Sequence, residues 1–188
     1  PLLFYVYPQI PYLFFDFLTA FLILRLTNSP KAFRLWLFNP ISLYVIYVLG
    51  NFDIVPVFFT CLSLYLVKKQ RYSFSALSFG IAISLKAYPV LFLPFIILRP
   101  PYRLRLIFSY IFLATLPLLA TIIPFLFGHH FLQSFTGSGL TQKIMEYRFL
   151  QLPLFPVLYF FILIHYLLTR PSSQYFHLSL VFLIFLSL

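Results

Sequence analysis

Of the chain's 188 residues, 62% are apolar, 22% aromatic and only 9% charged, and the mean hydropathy is +0.99. A water-soluble domain cannot hide that much apolar surface, and apolar runs longer than the ~18 residues needed to cross a bilayer recur, so an all-α, polytopic transmembrane helix bundle is predicted. Thirteen Lys and Arg against Asp16, Asp53 and Glu146 give a net charge of +10, but these cations sit in short tracts between apolar runs, which fits cytoplasmic loops rather than nucleic-acid binding.

The first apolar run, Leu2 to Leu26, is broken by Pro8 and Pro11, which predicts a helix from near Tyr12 to Arg25 with Asp16 inside it. A loop from Thr27 to Arg34 follows, with an Asn-Ser-Pro turn signal and the cations Lys31 and Arg34. Two apolar arms, Leu35 to Leu49 and Ile54 to Val67, are hinged at Gly50-Asn51-Phe52-Asp53 and lead to a second basic cluster, Lys68, Lys69 and Arg71. At ~1.5 Å per residue each arm spans only ~22 Å, short of the ~30 Å hydrocarbon core, so the hinge is expected below the far membrane face in a protein-lined cavity.

The same arithmetic applies from Ser73 to Leu98, which has Lys86 at its midpoint and ends at a third cluster, Arg99, Arg103 and Arg105. Either this stretch crosses once, or it forms two short half-helices meeting near Lys86-Ala87-Tyr88-Pro89; the second reading, preferred here, puts all three clusters in the cytoplasm. Leu106 to Phe127 reads as a single span into an external loop from Gly128 to Leu152. Pro153 to Thr169 returns to Arg170, and Tyr175 to Leu188 begins a span that stops inside an apolar run. The chain is thus expected to be one transmembrane domain, residues 1–188, incomplete at both ends. Cys61, the only cysteine, allows no intrachain disulfide or cysteine-based metal cluster within these residues.

An ionisable group at membrane depth is costly, which makes each one a functional candidate. Asp53, beside Asn51, suits hydrogen bonding to sugar hydroxyls; the structural alternative is a helix N-cap, since an apolar helix starts directly after it. Lys86 must snorkel, pair with an anion or face water, and a lipid-linked phosphate is one such anion. Asp16 has no cation at helical spacing and is expected to pair with another helix. In the external loop, His129 and His130 lack a spaced third ligand, so they and Gln133, Lys143, Glu146 and Arg148 read as solvated loop residues, and no metal site is assigned. No nucleotide-binding glycine motif, nucleophile elbow or paired-carboxylate motif occurs.

Pro1-Leu2-Leu3, the run Phe15-Asp16-Phe17-Leu18-Thr19 to Leu26, Trp36-Leu37-Phe38-Asn39-Pro40, Gly50-Asn51-Phe52-Asp53 and Leu85-Lys86-Ala87-Tyr88-Pro89 follow one another as successive motifs. Their order resembles that in catalytic subunits of GPI mannosyltransferase I and, more loosely, in polyprenyl-phosphate-mannose-dependent enzymes of bacteria and archaea. The sequence departs from the first pattern at Leu49, where those enzymes carry an arginine.

The resemblance implies a GT-C fold and a glycosyltransferase that moves mannose from a polyprenyl- or dolichyl-phosphate donor to a glycan or glycolipid acceptor. It also implies a multi-pass membrane protein, in the plasma membrane if prokaryotic and the endoplasmic reticulum if eukaryotic, and leaves room for a divalent metal. Asn51, Asp53, Lys86 and Tyr88 would bind substrate; the catalytic acidic residues would lie upstream of Pro1. By analogy the transfer would be inverting. A transporter or flippase of lipid-linked sugars would share broken helices and midplane charges, and is the alternative; a non-catalytic scaffold subunit would tolerate Lys86 replacement.

Overall fold

The structure, a computed structural model, describes residues 9–48, 52–97, 104–125, 148–149, 152–153, 159–160, 163–165 and 168. The chain divides into two units, Pro1–Thr121 with His177–Leu188, and Ile122–Phe176. In the second, a 3-10 turn, Ile123–Phe125, and a two-residue antiparallel ladder, Arg148–Phe149 with Leu152–Pro153, accompany helical residues at 159–160 and 163–165. Most of the expected external loop, including His129, His130, Gln133, Lys143 and Glu146, and the expected span from Tyr175, lie outside the described residues.

The described residues of the first unit are largely helical. Helix α1 is Gln9–Thr27, longer at both ends than the prolines suggested, because Pro11 falls in the first turn, where the N–H it lacks would have no intrahelical partner. Helix α2, Pro30–Leu37, replaces most of the expected loop: Pro30 pre-sets the first helical residue and the Ser29 hydroxyl accepts from the Ala32 N–H at 3.4 Å. It stops where the ring of Pro40 would collide with the Trp36 carbonyl. The expected single arm from Leu35 is therefore broken, resuming as α3, Pro40–Leu43, and a π-helical turn, Tyr44–Val48.

Helices α4, Ile54–Lys68, and α5, Tyr72–Leu85, form an antiparallel pair closed by a tight turn. In that turn Gln70 has φ 59°, with Arg71 N–H donating to the Leu66 carbonyl at 2.9 Å and Gln70 N–H to Val67 at 2.9 Å, the hydrogen bonds of a Schellman cap. Register is pinned by Ser63 opposite Ser75 (Oγ to Oγ 2.9 Å) and by the Ser78 hydroxyl donating to the Phe59 carbonyl at 2.9 Å. Helix α5 ends at Leu85 because Pro89, four residues on, would clash with the Leu85 carbonyl. Lys86 is extended (φ −150°, ψ 148°), and a 3-10 helix, Tyr88–Phe92, leads into α6, Leu93–Ile97.

Two contacts fix the direction of the remaining helices. The Lys68 ammonium donates to the Arg25 and Leu26 carbonyls at 3.0 and 2.9 Å, capping α1, while Phe15 packs on Phe58 at 5.2 Å; α1 and α4 thus run the same way. In α7, Leu104–Ile122, the Tyr110 hydroxyl meets Ser63 and Ser75, each at 3.0 Å, while Ala114 and Pro117 meet Gly80. Helix α7 therefore begins at the same end as α5, and the chain must turn back between Lys86 and Leu104, as the half-helix reading expects. Helices α1 and α7 are long and apolar enough to cross a membrane; α4 and α5, of 15 and 14 residues, span only about 21–22 Å.

A Cβ added at Gly80 would run into the Ala114 carbonyl oxygen and lie 2.9 Å from the Pro117 ring. Small residues permit such close helix approach in a membrane. Gly80→Ala is expected to cost about 1–3 kcal/mol by forcing α5 from α7, read as a lower melting temperature in detergent. An unchanged melting temperature would mean that α5 and α7 do not pack at this point.

Candidate functional site

The nearly equal lengths of α4 and α5, 15 and 14 residues, make the site. With Ser63 facing Ser75 and Phe59 facing Ser78, continuing the register brings Asp53, just before α4, beside Lys86, just after α5. Their side chains form a salt bridge, with the Asp53 carboxylate buried and the Lys86 side chain 33% exposed. The ammonium also lies 5.0 Å from the centre of the Phe52 ring, a cation–π contact, and the Tyr88 hydroxyl donates to the Asp53 backbone carbonyl at 3.4 Å. Asp53, Lys86 and Tyr88 are thus brought together; Asn51 lies outside the described residues.

This geometry bears on the structural alternatives for Asp53 and Lys86. Asp53 stands at the N-cap position of α4, but its side chain makes no capping hydrogen bond; it turns to Lys86 instead. Lys86 lies where two helical segments break and its ammonium meets a carboxylate, which is not the extended posture of a lysine snorkelling along lipid. An ammonium has three donors, so engagement with Asp53 leaves capacity for a second anion on the exposed side. Among the described residues, no three His, Cys, Asp or Glu side chains are grouped as metal ligands.

Asp16 pairs with other helical segments, as expected, but through neutral donors. The Trp36 indole donates to one carboxylate oxygen at 2.7 Å and the Tyr47 hydroxyl to the other at 2.9 Å. The Trp36–Asp16 bond ties α2 to α1, and Tyr47 ties on the π-helical turn. Sequence reasoning missed Trp36 and Tyr47 as these partners and Phe52 as the ring beside the ammonium. The signal for Trp36 was that a chain with one tryptophan buries it where its N–H needs an acceptor.

Residues 46–104 match the family described as mannosyltransferase (PIG-M). GPI mannosyltransferase 1 of Kluyveromyces lactis is 31% identical over 88 residues, covering 43% of this chain and 22% of the relative. The chain thus spans about a fifth of the length of that curated relative, and the resemblance read from the motifs is borne out. The matched segment holds the Gly50-Asn51-Phe52-Asp53 hinge and the Lys86-Ala87-Tyr88-Pro89 break, and hence the whole ion pair. Neither comparison lends support to a transporter or flippase. No solved structure matches.

Proposed function

We propose, on the premise that residues 46–104 are similar to mannosyltransferases, that the chain is part of a multi-pass membrane glycosyltransferase with a GT-C-like bundle. It transfers mannose from a polyprenyl-phosphate donor to a glycan or glycolipid acceptor. The observation that carries the site assignment is the Asp53–Lys86 pair, set by two matched short helices inside that segment.

In the transfer an acceptor hydroxyl attacks the anomeric carbon, the bond from that carbon to the phosphate oxygen breaks, and polyprenyl phosphate leaves with the electron pair. The hydroxyl proton passes to a carboxylate base. Lys86 stabilises the charge growing on the departing phosphate, an interaction strengthened where water is scarce. Asp53 holds the ammonium in place before the donor arrives and Tyr88 buttresses the hinge carbonyl, while Asn51 and Asp53 are the residues proposed to hydrogen-bond the sugar.

Polyprenyl phosphate, the product, should inhibit the full-length protein through the same ammonium. Lys86→Met should raise its inhibition constant about ten- to hundredfold, the value of one charge-assisted contact of ~1.5–3 kcal/mol. An unchanged inhibition constant would place the phosphate elsewhere.

The membrane orientation follows from the shared end of Arg25, Lys68 and α7, which is cytoplasmic by the positive-inside rule. In a Cys61→Ser background, a cysteine at Gln70 should react with an impermeant maleimide only when the cytoplasmic face is opened. Labelling from the outer face alone would overturn this orientation.

A further inference from the structure

Helix α2 has two contrasting faces. One packs inward, with Trp36 on Asp16 and the Phe33 ring 6.4 Å from Phe17. The other carries Lys31, Arg34 and Leu35 and is continued by the C-cap Phe38, at the i, i+3, i+4, i+7 spacing of a single helical face. With Asn39 and Pro40 these line an open groove of about 660 Å³. Both cations are exposed, as are Leu35 (68%) and Phe38 (75%).

Its position narrows what can fill it. Helix α2 starts at Pro30, just beyond the end of the α1 span at Thr27, and Lys68 capping α1 marks the same end of α4. The groove therefore lies at a membrane boundary, at the opposite end of α4 from Asp53 and Lys86. Of the three acidic residues, Asp16 is committed to Trp36 and Tyr47, Asp53 to Lys86, and Glu146 lies outside the described residues. A soluble anion would satisfy the cations and leave Leu35 and Phe38 uncovered; a lipid with a phosphate head satisfies both.

We propose that this groove binds an anionic phospholipid of the cytoplasmic leaflet, with its phosphate between Lys31 and Arg34 and the first methylenes of an acyl chain on Leu35 and Phe38. The site is separate from the proposed donor site. Because Trp36 on the same helix holds Asp16, an occupied groove braces α2 against α1.

The test compares the full-length protein in nanodiscs of phosphatidylcholine alone and with added phosphatidylserine, reading the melting temperature and the lipid retained in native mass spectrometry. Phosphatidylserine should raise the melting temperature and be retained. Lys31→Gln with Arg34→Gln should weaken retention about thirtyfold, roughly fivefold per cation near the surface, whereas Lys69→Gln with Arg71→Gln should leave it unchanged. Equal loss in both double variants would reduce the effect to general basic charge and overturn the proposal. So would a melting-temperature rise reproduced by inorganic phosphate alone, or displacement of the retained lipid by polyprenyl phosphate, which would reassign the groove to the donor.

Discussion

Lys86→Met is expected to lower both the melting temperature and the proposed transfer rate of the full-length protein, and adding Asp53→Asn is expected to restore the first without the second. From the cost of a charge in lipid taken by itself, methionine would be forecast to be tolerated. The salt bridge reverses that forecast, because methionine leaves the buried Asp53 carboxylate without its ammonium. Breaking a buried pair from one side costs about 3–5 kcal/mol; with Lys86 33% exposed, the low end, about 3 kcal/mol, is expected.

Asparagine at 53 removes the stranded charge and should recover most of that loss. Turnover should stay about ten- to hundredfold down in the double variant, because the contact to the departing phosphate is still missing. Lys86→Arg should keep the fold and restore only part of the rate, since a planar fork does not replace a compact ammonium at close range. Thermal melts and donor turnover for the four proteins separate a mechanistic lysine from a structural one; recovery of the rate along with stability would remove Lys86 from the mechanism.

Asp16→Ala should destabilise the bundle at its other carboxylate. The buried Trp36 indole would lose this acceptor, at about 1–3 kcal/mol, and the half-buried Tyr47 hydroxyl would lose it at a smaller cost. Asp16→Asn keeps one carbonyl oxygen and should lose less. Trp36 is the only tryptophan of these 188 residues, so its contribution to the fluorescence reports on this contact: Asp16→Ala should red-shift that emission as α2 loosens from α1, with a fall in melting temperature. An alanine variant with unchanged emission and stability would show that Asp16 does not anchor α2.

Much of this arrangement was legible in the sequence, for particular reasons. The breaks near Gly50 and Lys86 were readable because Gly and Pro act through local sterics, and Pro89 ends α5 at Leu85 by that mechanism. Asp53 and Lys86 were each readable as costly charges, yet their partnership was not. It depends on the register of α4 against α5, which buried serines and the Gln70 turn set through contacts distant in sequence.

Helix α2 was missed because its cations made it look like a loop, whereas Ser29, Pro30 and the tertiary anchor of Trp36 outweigh that polarity. The Asp16 donors were hidden for a similar reason: Trp36 and Tyr47 are 20 and 31 residues away and reach it only once α2 and the π-helical turn fold back.

The role proposed for Lys86 is to read the lipid-linked phosphate of the donor in a membrane mannosyltransferase. Its most direct test is mannose transfer by the full-length protein in proteoliposomes, with labelled mannose supplied as polyprenyl-phosphate mannose or as a nucleotide sugar. Transfer from the lipid-linked donor only, lowered about ten- to hundredfold in the Asp53→Asn and Lys86→Met double variant, is the predicted result. Transfer from the nucleotide sugar, or an undiminished rate in the double variant, would contradict it.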